Sequence, residues 1–138
     1  MLADEPAKGL DWDLRGQVRE TLLSLRDRGV ESMIVITHDL PLARGLCDQV
    51  AVMYAGQVLE LGADVLESPC HPYTRAFLSA LPENGFQPMA GVAPRAGERP
   101  EGCPFAPRCP RAGERCRREY PGISSPRPGR TVRCFCYE

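Results

Sequence analysis

At 138 residues, 43% of them hydrophobic and 25% charged, the chain has room for one domain, or a small domain with an appendage, and excludes two full catalytic domains. The formal net charge of -1 hides an asymmetry: residues 1–94 carry 7 Lys and Arg against 13 Asp and Glu, while residues 95–138 carry 10 Arg against 5 Glu. No apolar run reaches the ~18–20 residues of a membrane span, and MLADEPAKG lacks the basic and apolar regions of a signal peptide. A cytosolic protein with no direct membrane insertion is expected. In that compartment thiols stay reduced, so seven cysteines, an odd number, argue for metal or cluster ligation over a disulfide framework. Lys8 is the single lysine among 17 basic residues; arginine richness suits nucleic acid or an acidic partner, but a high-GC coding bias produces it too, and nucleic acid is not the expected partner.

The order of elements is α/β. MLADEP reads as a short apolar strand ending in Asp4 and Glu5 and stopped by Pro6, which cannot donate to a ladder. From Asp11 to Arg28 the spacing of Leu14, Val18, Leu22 and Leu25 predicts a helix, with Asp11 or Asp13 to cap it and Gly29 to close it. SMIVIT, residues 32–37, is a continuous apolar run, as expected of a strand covered on both faces, and it ends at His38. A helical stretch over 41–46 leads to two strands, 49–54 and 57–61, joined as a hairpin through Gly56. Short helices are predicted over 64–67 and 73–81.

Beyond Leu81 four prolines and four glycines between Pro82 and Gly102 break every periodic pattern and mark a linker. The expected organisation is therefore 1–81, a linker 82–102, and a cysteine-rich module 103–138. That module has few large apolar side chains and is expected to need a centre to staple it.

Adjacent carboxylates at a strand end suit metal-assisted phosphoryl transfer, one holding Mg²⁺ and the other orienting a water. In a parallel sheet His38 would stand beside them at the carboxyl ends of the strands, where α/β ligand sites form. Ala3 to Pro6 resembles the end of the Walker B strand with its following glutamate in the nucleotide-binding subunit of an ABC transporter. Gly9, Leu10 and Asp11 resemble the D-loop, Thr37, His38 and Asp39 the switch-histidine loop, and VAVMYAGQVLELG the hairpin that follows it. The resemblance implies a partial P-loop NTPase core in which Asp4 helps to hold Mg²⁺ through its water shell, Glu5 polarises the attacking water, His38 contacts the γ-phosphate of ATP and Asp11 works across a dimer interface. The 138 residues contain no G-x-x-x-x-G-K-[ST], so nothing in them cradles the β- and γ-phosphates. The polypeptide reads as the half of an ATPase that lacks Walker A and signature motifs, a fragment that should not hydrolyse ATP alone.

SPCHPYTRAFLSALP resembles the His-Pro-Tyr segment of the oligopeptide, dipeptide and nickel importer branch, with the match on residues 71–75. Read without the resemblance, His71 before Pro72 is an extended residue making a structural contact. GCPFAPRC, a third cysteine and a later fourth resemble the C-terminal pattern of the same branch, giving Cys103, Cys109, Cys116 and Cys134 as ligand candidates, with Cys136 able to replace Cys134. Four thiolates suit zinc or an iron–sulfur cluster, and the resemblance favours a four-iron, four-sulfur cluster. Arg108, Arg111, Arg115, Arg117, Arg118 and Arg133 either offset its negative charge or are simply solvated. The implied function is the C-terminal half of the ATP-binding subunit of a peptide or nickel importer. Its partners would be a second such subunit and the membrane permease subunits, at the inner face of the membrane. The alternative is a metal-binding interaction module derived from such a subunit, without catalysis.

Overall fold

In the computed structural model every residue is described except Ala96 and Arg99, so that part of the expected linker lies outside the described residues. The chain forms mixed α/β structure in two compact units, residues 1–48 and 49–138.

In the first unit the carboxylate of Asp11 accepts a hydrogen bond from the Leu14 amide at 3.0 Å and starts helix α1, Trp12–Asp27, as an N-cap should. Gly29, with φ +100°, takes the left-handed turn after the helix end. Strands β1, Leu2–Asp4, and β2, Ile34–Ile36, pair in parallel with Asp4 opposite Ile36. Asp39 caps the second helix, α2, Leu40–Leu46, by accepting from the Leu42 amide at 3.0 Å. The core of the unit is Ala7, Leu22, Leu42 and Leu46, packed by Ala3, Val18 and Val35 among others.

Two expectations change. Leu14 is 40% exposed, so the helix presents Val18, Leu22 and Leu23 to the core and not the whole predicted stripe. Strand β2 is not covered on both faces: Ile34 and Ile36 are 66% and 50% exposed. Within this unit only the face bearing Ala3 and Val35 meets the helical core.

The second unit is built on an antiparallel sheet in the order β3-β4-β6-β5: β3 Val50–Tyr54, β4 Gln57–Gly62, β5 Ser124–Arg127 and β6 Arg130–Val132. The β3–β4 turn places Ala55 and Gly56 at φ +48° and +75°, the double positive φ of a type I′ hairpin. Strand β6 extends this hairpin by pairing with β4, Glu60 opposite Val132, so the tail shares a sheet with the segment around residue 60. Helix α3, Pro72–Ser79, begins at His71, and α4, Glu114–Arg118, lies in the cysteine segment. The predicted helix over 64–67 is instead a turn closed by one bond, Ser68 N–H to the Asp64 carbonyl at 2.9 Å; at this length a nucleated helix gains too few bonds to persist.

Phe105 and Leu59, both fully buried, centre the core of this unit with Tyr54, Cys103 and Ala106. The Phe105 ring meets Tyr54 edge-on, centroids 5.6 Å apart, and Tyr73 at 5.4 Å, a geometry worth about 1 kcal/mol per pair beyond burial. Of the apolar side chains of the tail, Phe105 and Val132 are fully buried in this unit, whereas Ile123 stays 65% exposed.

Candidate functional site

Chemistry-bearing groups gather in two places, one in each unit. In the first unit β1 delivers Asp4 and Glu5 and β2 delivers Thr37 and His38 at the same end of the parallel pair, because both strands run in one direction. The Glu5 amide donates to the Ile36 carbonyl at 2.7 Å. Glu5 then turns into the left-handed region, φ +47°, a conformation that costs a non-glycine residue about 1 kcal/mol or more and that clusters at functional sites. The turn aims its carboxylate at His38, Nδ1 to Oε1 at 2.8 Å. With Nδ1–H donating to the carboxylate, the other ring nitrogen is left to act on whatever approaches, and the imidazole is 73% exposed. Asp4 is exposed at the strand end.

The neighbouring loop carboxylates have structural duties. Asp39 caps α2, and its second oxygen pairs with Arg15 Nη1 at 3.2 Å. Thr37 Oγ1 accepts from the Asp39 amide at 3.0 Å. Asp11 is engaged as the cap of α1, which fixes the loop through Gly9, φ +76°.

In the second unit Cys103, Cys109, Cys116, Cys134 and Cys136 line one cavity of about 20 Å³ together with His71 and Arg111, the size of a single water. A 2.8 Å bond from the Cys103 amide to the Cys116 carbonyl closes the loop between them. A Cβ on Gly102 would lie 2.6 Å from the Arg117 carbonyl carbon, so only glycine lets these backbones approach. Burial pushes the thiols of Cys103 and Cys109 up, and that of Cys134 up to about 12. Cys136 is the exposed member.

His71 is no ligand. It is 1% exposed, its Nδ1 accepts from the Tyr73 amide at 2.9 Å as the cap of α3, and it also bonds the Arg133 backbone. Burial lowers its pKa to about 4, against an opposing pull from Glu60. Of the six arginines expected around the sulfurs only Arg111 lines the cavity. Arg108 bonds the Tyr54 hydroxyl and the carbonyls of Met89 and Ala90, while Arg115 pairs with Glu119 and Glu138. The donor chemistry, five thiols beside a histidine whose Nδ1 is engaged by the Tyr73 amide, fits a thiophilic centre. Among the described residues, however, no three His, Cys, Asp or Glu side chains are drawn together around one ion.

Sequence reasoning missed the charge pair that holds this unit together. Glu60, 1% exposed, accepts from Arg130 Nη1 at 2.5 Å and from the amides of Cys70 and His71 at 2.6 and 2.9 Å. Arg130, also 1% exposed, reaches Asp64 with its other terminal nitrogen. One carboxylate thereby ties β4, the start of α3 and β6. A lone acidic residue inside the apolar strand VLELG is its sole sequence signal.

Residues 60–116, from this glutamate to the third cysteine of the cavity, match the family model described as the oligopeptide/dipeptide transporter, C-terminal region. The chain is 40% identical over 141 aligned positions to the dipeptide transport ATP-binding protein DppD of Escherichia coli, covering 97% of this chain and 43% of that protein. Along nearly its whole length the chain is similar to transporter ATP-binding subunits, and residues 60–116 match their C-terminal region. Other relatives agree: the oligopeptide transport ATP-binding protein AppD of Bacillus subtilis is 39% identical, covering 100% of this chain and 44% of that protein. OppD of Salmonella typhimurium is also 39% identical, covering 98% and 42%. The chain spans less than half the length of these family members. Among the described residues no helix is long and apolar enough to cross a membrane.

Proposed function

We propose that this chain supplies the hydrolytic edge and C-terminal region of a cytoplasmic, peripheral ATP-binding subunit that powers peptide import. The observation that carries the proposal is the 2.8 Å contact between Glu5 and His38 at the ends of parallel strands, in a chain whose relatives are named as peptide-transport ATP-binding proteins. Glu5 acts as the acceptor that orients the attacking water, a role worth about 10²–10⁴-fold. His38, its tautomer held by Glu5, presents the opposite ring nitrogen to the γ-phosphate. Asp4 would hold magnesium through its water shell, and the metal would neutralise charge developing on the phosphate oxygens. Asp11, by setting the loop at Gly9, shapes the surface offered to a second ATP-binding subunit, and membrane permease subunits complete the transporter.

In the same reading residues 1–81 are the C-terminal part of the nucleotide-binding domain, 82–102 a linker and 103–138 the cysteine-rich metal- or cluster-binding module. Cys103, Cys109, Cys116 and Cys134 are the proposed ligands of a four-iron, four-sulfur cluster, with zinc as the alternative. Five thiols on one cavity support this, and the cavity walls would have to part to admit a cluster. The test is uptake of a labelled dipeptide by cells carrying the coding sequence intact, deleted, or with Glu5→Gln. Loss of uptake in both altered strains is expected. Uptake unchanged by the deletion overturns the proposal.

A further inference from the structure

The cysteine cavity is walled by five sulfurs, one more than a four-coordinate thiolate centre uses. The surplus arises at the chain end, where Cys134, half-buried and extended (φ -158°, ψ 128°), precedes the short 3₁₀ turn Phe135–Tyr137. That turn carries Cys136 back onto the cavity wall that it shares with Cys134 and Cys109. The five cysteines therefore share one cavity wall, and Cys136 is the most exposed of them.

Resting on the reading of this cavity as a metal or cluster site, we propose that Cys134 and Cys136 compete for a single ligand position, with Cys134 the resident ligand and Cys136 an exposed reserve thiol that replaces it. The physical case is one of effective concentration. A thiol one residue away meets a vacated coordination position intramolecularly, at far higher local concentration than any free thiol, so a broken bond to Cys134 is recaptured before the centre is lost. The exposed position of Cys136 also makes it the sulfur that an incoming iron or zinc ion meets first. Both thiols ligate as thiolates, each losing one proton to solvent as its bond to the metal forms, and no electron is transferred.

The experiment uses the full chain, reduced, under anaerobic conditions, loaded in parallel with zinc and with ferrous iron plus sulfide. Metal per chain and iodoacetamide-labelled peptides are read out together by elemental analysis and mass spectrometry. In loaded wild-type protein Cys136 should be alkylated and Cys134 protected. Cys134→Ser should keep more than half of the metal, with Cys136 now protected; Cys136→Ser should keep all of it; the double variant should lose at least tenfold. Protection of Cys136 together with labelling of Cys134 in wild-type protein overturns the assignment, and needs no variant to fold. So does Cys134→Ser that falls to the level of the double variant. Wild-type protein that takes up neither iron nor zinc overturns the underlying metal reading itself, a result separate from any difference between the two thiols.

Discussion

Replacing Arg130 by methionine should unfold the second unit at temperatures where the wild-type chain is folded. The substitution keeps the apolar stem that passes over Gly62, where a Cβ would lie 2.9 Å from Arg130 Nε, and removes the charge. Glu60, 1% exposed, then retains the Cys70 and His71 amides at 2.6 and 2.9 Å but no cation. Breaking a buried ion pair from one side costs about 3–5 kcal/mol. Asp64, whose side chain is 51% exposed, is resolvated and adds little. Typical domain stability is about 5–15 kcal/mol, and 1 kcal/mol moves the midpoint of a small domain by about 4–8 °C, so a fall of at least about 12 °C is expected. Far-ultraviolet circular dichroism of the full chain measures it, and hydrogen exchange at Cys70 and His71 localises it. Glu60→Met should also destabilise, because it strands a guanidinium and two amide donors at about 1–3 kcal/mol per unsatisfied group. The double variant removes both charges and should recover at least about 2 kcal/mol relative to the sum of the single changes. Strict additivity, or a midpoint within about 2 °C of wild type for Arg130→Met, refutes the reasoning.

Three further outcomes are expected. Because burial depresses the His71 pKa to about 4, the unfolded chain binds more protons than the folded one between about pH 6.5 and pH 4. The contribution is fully present above pH 6.5 and is lost as pH falls through that window, about 3 kcal/mol in all; urea midpoints against pH should lose this slope in His71→Asn. Gly102→Ala forces its new methyl against the backbone of Cys116 and Arg117 and should cost about 1–3 kcal/mol, read as a lowered melting midpoint together with faster exchange at the Cys103 amide. Glu5→Asn, which tolerates the left-handed region better, should raise the stability of the first unit by about 1 kcal/mol; a melting midpoint that falls instead would show that the φ of +47° carries no strain.

What the sequence disclosed and what it withheld divide along a physical line. Local signals were legible: Asp11 as a cap, Gly29 after the first helix, the hairpin at Gly56, and the extended backbone of His71 before Pro72 follow from near-neighbour geometry. The Glu5–His38 contact was legible because parallel strands of similar length must bring their carboxyl ends together. Partnerships between distant segments were not. The pairing of β6 with β4 and the packing of Phe105 on Tyr54 and Tyr73 join segments too far apart in the chain for residue spacing to relate. Arginines expected to face sulfur are drawn away by hydroxyls, carbonyls and carboxylates that lie far off in sequence, Arg108 by Tyr54 being the plainest case.

This line bears on why the His-Pro-Tyr segment and the cysteines occur together in one family region. Glu60 takes the Cys70 and His71 amides on one side and Arg130 on the other, while His71 bonds the Arg133 backbone next to Cys134. The charge pair and the imidazole thus set the position of the last cysteines relative to the first three by protein contacts alone. A centre bound by those thiols would meet a largely preformed frame and would report on its integrity more than create it. Metal-free protein should therefore keep its amide protection at Cys70 and His71, and lose it when Arg130 is replaced.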